Sequence, residues 1–239
     1  MVKYFYVILR NIYKIPYYIT KMKNMAMDES CETSERYAMA LRIINIIKKT
    51  GHIKTKAYGV ENLPTDCGYI MYPNHQGKYD VLGIMDTHQS PCSFVMDKAK
   101  SYTILVREVL DLLKGKRLDK KNCRQALRII NEVAEEIKQG GRFILFPEGG
   151  YAFNQGNHLC EFKPGCFKIA LKSKAPIVPV ALIDSYKVFD SYHMGQVETQ
   201  VHYLKPIRYE EYKDMSTNEI AQKVHDLIEA KIHEFKAAA

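Results

Sequence analysis

"GYIMYPNHQGKYDVLGI", Gly68 to Ile84, runs from an apolar stretch through a polar turn into a second apolar stretch. His75 and Asp80 lie five positions apart inside that turn. On one continuous helix a separation of five rotates two side chains apart by roughly 140°, so the pair would not meet. In a turn that leads from a strand into a helix, the backbone can fold Asp80 back onto the imidazole. A carboxylate there fixes the tautomer of His75 and leaves its other nitrogen free as a base.

Working outward, "CSFVMD" (92–97), "RFILFP" (142–147) and "APIVPVALI" (175–183) read, like "GYIMYP", as buried strands. Helical stretches fall between and after them, near 103–113, 121–138, 165–173 and 216–236. This alternation predicts an α/β fold in which a sheet is flanked by helices. In such folds ligands gather where loops leave the carboxyl ends of the strands. Pro73-Asn74-His75 leaves one such end and Pro147-Glu148-Gly149-Gly150 leaves another, so two site loops are expected on one edge. With 239 residues, 46% of them hydrophobic, and no internal repeat, the chain has material for one sizeable core.

Six cysteines, at 31, 67, 92, 123, 160 and 166, form no CxxC and no zinc-type pattern with histidine, and no secretory signal precedes them. They read as reduced thiols of a cytosolic protein, with no metal site. The net charge of +8 calls for an acidic partner. Residues 1–24 hold Lys3, Arg10, Lys14, Lys21 and Lys23 without one acid, and residues 114–128 hold seven basic residues against Asp119 alone. No aromatic side chain accompanies that second cluster, which argues against nucleic acid and leaves an anionic membrane surface or a phosphorylated substrate.

The opening segment is rich in aromatic and branched residues, yet its longest uncharged opening run, Tyr4 to Leu9, is far too short to span a bilayer. As a helix over 3–21 it would align Lys3, Arg10, Lys14 and Lys21 in one stripe and set Tyr4, Tyr6, Tyr13, Tyr17 and Tyr18 at a lipid boundary, with Pro16 kinking or dividing it. Packing on the protein's own core is the other possibility. A second basic, amphipathic run, "ERYAMALRIINIIKKTGHIK", predicts a helix from about 34 to 49 closed by Gly51. Residues 1–52 are therefore expected to form a membrane-associating helical hairpin ahead of a body at 53–239.

Asn74-His75 with Asp80, "FILFPEGG" at 143–150, "FKPGCFKIAL" at 162–171 and "APIVPVAL" at 175–182 together resemble the ordered blocks of the glycerolipid acyltransferases, which include the lysophosphatidic acid acyltransferases. The resemblance covers roughly 57–205. It implies a mixed sheet flanked by helices, with His75 as general base on a glycerol hydroxyl and Asp80 orienting it. The hydroxyl attacks an acyl thioester, from acyl-CoA or acyl carrier protein, without a covalent acyl-enzyme, a cofactor or a metal. The acceptor implied is 1-acylglycerol 3-phosphate, acylated to phosphatidic acid at the cytoplasmic face of the membrane by a peripheral enzyme. Another lysolipid, another hydroxyl or amine acceptor, or a non-catalytic lipid-binding role stay open as alternatives.

In that family the second block ends in a phosphate-binding arginine, and "GKRLDKK" puts Lys120 at its place, with Arg117 and Lys121 close by. The third block usually reads Glu-Gly, then Thr or Ser, then Arg, whereas this chain has Glu148-Gly149-Gly150-Tyr151. Glu148 is expected to hold a glycerol hydroxyl or the neighbouring base. Gly149 and Gly150 would offer backbone amides to an anion, Asn74 would line the acceptor site, and Lys163 would replace the missing cation. The departure bears on the head group rather than on acyl transfer.

Overall fold

The computed structural model describes residues 2–238. In chain order the elements are α1 (Val2–Arg10), α2 (Ile15–Met27), α3 (Thr33–Gly51), β1 (Ile53–Tyr58), β2 (Tyr69–Pro73), α4 (Asp80–Thr87), β3 (Ser93–Asp97), α5 (Val106–Leu112), β4 (Lys116–Leu118), α6 (Cys123–Lys138), β5 (Arg142–Ile144), α7 (Lys168–Ser173), β6 (Ile177–Ile183), α8 (Tyr186–Phe189), β7 (Val197–Tyr203) and α9 (Thr217–Ala238). The strands form one seven-stranded sheet in the order β1-β7-β6-β2-β5-β3-β4. Only the β6–β7 pair is antiparallel; β1 with β7, β2 with β6 and β5, and β3 with β5 and β4 run parallel. The resemblance implied this mixed sheet with flanking helices.

Every residue of β2 and of β6 is buried, because both faces of the sheet are covered. Side chains alternate between the faces. Ile70, Tyr72, Ile177 and Ala181 pack with Val133 and Ile137 of α6 and Val224 and Ile228 of α9. Tyr69, Met71, Val178 and Val180 pack on the other face with Met22 of α2, Tyr37 and Ile44 of α3, Met85 of α4 and Leu110 of α5. The first three helices thus include two that share a core with the sheet. Arg36 fastens them: its buried guanidinium donates to the carbonyls of Cys31 and Asp28 in the α2–α3 turn and of Leu112 at the end of α5.

Two readings of this region change. The opening helix is divided, as expected, by turns at residues 11–14 just ahead of Pro16, but the expected basic stripe does not form a common outer face. Lys3 is buried at 2% exposure and donates to the Gly195 carbonyl at 2.5 Å, while Val2, Phe5, Leu9, Ile12, Tyr13 and Tyr17 face outward. Tyr4 and Val7 point inward against Phe189, Val188 and Ile53, so the body claims the side of α1 that carries Lys3. At the end of α3, Gly51 stays helical and His52 takes the left-handed conformation at φ 51°. A Cβ at Gly51 would lie 2.9 Å from the Ile53 side chain, so the glycine serves a close approach rather than the turn.

Five strands, β2 to β6, run parallel, so their carboxyl ends share one edge. His75, Asp97, Lys120, Glu148 and Ser185 all lie at or just beyond those ends.

Candidate active site

Asp80 is the first residue of α4 and is fully buried. Its carboxylate accepts four hydrogen bonds. Oδ2 takes His75 Nδ1 at 2.7 Å and the backbone amides of Gln76 and Gly77 at 2.6 and 2.9 Å; Oδ1 takes the Ser185 hydroxyl at 2.6 Å. A buried carboxylate is tolerated when its lone pairs are filled in this way. The strand-to-turn-to-helix path brings His75 and Asp80 together across their five-residue spacing. With Nδ1 donating to Asp80, the His75 lone pair sits on Nε2. The imidazole stacks on Phe146 at 4.1 Å between ring centres and meets Tyr151 edge-on at 4.4 Å, and its side chain keeps 18% exposure.

Glu148 connects the loop after β5 to the loop after β2, accepting the His75 amide on Oε1 at 2.7 Å. Burial raises its carboxyl above the ordinary value, against the opposing pull of the hydrogen bond from the His75 amide. Of the two expected partners, a glycerol hydroxyl or the neighbouring base, the side chain is engaged with the backbone of the latter. Gly149 has φ 74°, and a Cβ there would lie 2.7 Å from Lys163 Nζ, so the glycine allows both the turn and the lysine across it. Lys120 reaches the same point from the end of β4, donating to the Gly149 carbonyl at 2.5 Å and pairing with Asp97 at 2.7 Å.

Three expected contacts are not available. Asn74 is fully buried with both amide atoms bonded to the backbone of Leu182, at 3.1 and 2.7 Å, so it ties β2 to β6 and does not line an acceptor site. The Gly149 amide donates to the Phe146 carbonyl at 3.2 Å and is not free for an anion; the space beside Gly150 is open. Arg117 pairs with Asp111 at 2.7 Å and lies over Tyr102, with no bond to the His75 group among the described residues.

The structure adds groups that the sequence did not single out. Ser185 follows β6 and reaches Asp80 from 105 positions away, a separation that carries no local signal. Gln76 donates to the Asn157 side chain and accepts from the Ser185 amide, pinning the loop after β5 to the loop after β6. Lys78, inside the opening stretch, binds the buried carboxylate of Asp190 through both its amide and its ammonium, and Gly77 leaves room for that carboxylate. Lys78 and Lys100 both place their ammonium groups over the Tyr151 ring, at 5.7 and 5.5 Å. Among the described residues the one cluster of metal-ligating atoms is His225, Asp226 and Glu229 on α9, none of which belongs to the His75 group.

The family model described as "Acyltransferase" matches residues 54–183, more than half of the chain. The chain belongs to the acyltransferase family. The matched span holds His75, Asp80, Lys120, Glu148 and Lys163. Among the acyltransferases it resembles are the 1-acyl-sn-glycerol-3-phosphate acyltransferase of Saccharomyces cerevisiae, 28% identical over 76% of this chain and 61% of the relative, and the alpha form of Homo sapiens, 26% identical over 66% and 57%. This chain thus spans about three fifths of those relatives' length. The crystal structure of the 1-acyl-sn-glycerophosphate (LPA) acyltransferase PlsC from Thermotoga maritima has the same fold, with a TM-score of 0.79 at 20% identity over 99% of this chain and 95% of that one.

Proposed function

We propose that the chain transfers a fatty acyl group from a thioester donor, acyl-CoA or acyl carrier protein, to the free hydroxyl of 1-acylglycerol 3-phosphate. The observation that carries this reading is the Asp80-held imidazole of His75, with Nδ1 bonded at 2.7 Å and Nε2 left as its basic atom. Nε2 removes the proton from the acceptor hydroxyl as its oxygen bonds to the thioester carbonyl carbon. The tetrahedral intermediate then expels the thiolate, which takes the proton back from the imidazolium. Asp80 stabilises that imidazolium and holds its tautomer. The acceptor for which its relatives are named supports this choice, and lysines 120 and 163 beside Gly149 supply positive charge for its phosphate.

No helix among the described residues is long and apolar enough to cross a membrane. The outward apolar face of α1 and the start of α2, flanked by Arg10 and Lys23, fits a membrane surface instead. It supports a peripheral enzyme meeting its lipid acceptor at a membrane surface, and the proposed acyl-CoA or acyl carrier protein donor makes the cytoplasmic leaflet the side we expect. The test incubates the full chain with acyl-CoA and lysophosphatidate in vesicles, following thiol release and lipid products together. One phosphatidate per thiol is expected; thiol release without phosphatidate, or neither, refutes the assignment.

A further inference from the structure

Charge pairing around His75 is uneven. Lys78 is paired with Asp190 and Lys120 with Asp97. Lys163 and Lys100 form no ion pair among the described residues, although Lys100 sits close enough to Asp97 to be felt by its carboxylate. One of these unpaired ammonium groups lies along Gly149 and the other over the ring of Tyr151, two residues further on. That ring stands edge-on against His75. A phosphomonoester carries about 1.5 to 2 negative charges near neutral pH, which two lysines outside any ion pair complement.

We infer that Lys100, carried on the turn after β3, is a specificity-determining residue that binds the phosphate of the lysolipid acceptor from the Tyr151 side of the site. This rests on the acyltransferase reading and extends it, because it names a cation from a segment with no signal of its own in the sequence. Tyr151 contributes by geometry. Its ring positions the ammonium by cation–π attraction and covers one side of the imidazole. Lys100 donates from the solvent side as a flexible point charge, so its effect falls on binding more than on turnover.

The test is isothermal titration of the full chain with a short-chain, water-soluble 1-acylglycerol 3-phosphate, the matching monoacylglycerol, CoA and dephospho-CoA. Lys100→Gln is expected to weaken the lysophosphatidate about tenfold and to change the other three less than about twofold, while Lys100→Arg stays within about threefold of wild type. Lys98→Gln, on the same turn but paired with Asp119, serves as the control and should bind as wild type does. Lysophosphatidate binding that is equal in wild type and Lys100→Gln overturns the inference. So does a loss seen with CoA and absent with dephospho-CoA, since the charge would then serve the donor's 3′-phosphate. Wild type that binds lysophosphatidate through Lys100 yet releases no thiol from acyl-CoA overturns the acyltransferase reading and leaves the Lys100 assignment standing.

Discussion

The His75–Asp80 turn and the lysine rim at Gly149–Tyr151 adjoin each other and are built on opposite plans. In the turn, every polar atom of Asp80 has a partner and the carboxylate is fully buried, so one geometry is enforced. At the rim, lysines 100, 120 and 163 arrive on flexible stems from three separate segments and are exposed or nearly so. A proton transfer needs a heavy-atom position fixed to tenths of an ångström, whereas a phosphate needs only net charge nearby. The difference teaches where substitutions are tolerated: the turn resists them, and the rim can exchange which residues carry its charge.

If that contrast holds, the largest losses come from the turn. His75→Ala should lower turnover by about 10²–10⁴-fold in a chain that still folds, as expected for loss of a positioned general base. Asp80→Asn should lose comparable activity and also melt earlier, because an amide cannot accept all four hydrogen bonds. Near-normal turnover in either variant would remove the turn from the chemistry.

The same logic separates two histidines. His75 keeps one nitrogen open, whereas His88 is buried with Nε2 on the Tyr69 hydroxyl at 2.6 Å and Nδ1 on the Ser90 carbonyl at 2.5 Å. Burial pushes the His88 pKa down from 6.5 to about 4. The unfolded chain therefore takes the proton first as pH falls, so stability present above about pH 6.5 is lost progressively toward about pH 4, by an amount on the order of 3 kcal/mol. Urea unfolding against pH should show that slope in wild type and a shallower one in His88→Gln; identical slopes would place the acid sensitivity elsewhere.

Ser185→Ala probes the turn from its far side. Leaving Asp80 Oδ1 without a donor should reduce stability by about 1–3 kcal/mol and lower kcat while KM for both substrates holds. A change in KM alone would make Ser185 part of a binding surface instead. The smallest effect is expected at the rim. Lys120 is 41% exposed and already paired with Asp97, so Lys120→Ala should raise KM for lysophosphatidate by no more than about fivefold. A much larger rise would mean the rim is as rigid as the turn, and the contrast would fail.

Legibility in the sequence follows the same division. The turn was readable because its two key residues lie in one short stretch whose flanks switch from strand to helix. The central strands were readable because burial on both faces makes them continuous apolar runs. Strand β1 escaped: it is an edge strand, and its Lys54 and Lys56 alternate outward to meet Glu198 of β7. Strand β4, "KRL", is too short and too basic to signal a strand. Ser185 and Lys100 escaped because only the parallel order of the sheet brings their loops to His75. Asn74 and Arg117 read as substrate contacts because a polar side chain beside a motif looks the same in sequence whether its partner is a ligand, a backbone carbonyl or Asp111.

The central claim is that His75 activates the acceptor itself, so acyl transfer occurs in one displacement with no acyl-enzyme. Mixing the full chain with excess acyl-CoA and no acceptor, then following thiol release in the first turnover and the intact mass of the protein, tests this directly. The account predicts no burst and no added acyl mass, with thiol release beginning only when lysophosphatidate is supplied. A burst equal to the enzyme concentration, with an acyl group on a side chain such as the exposed Cys160 beside Glu148, would contradict it.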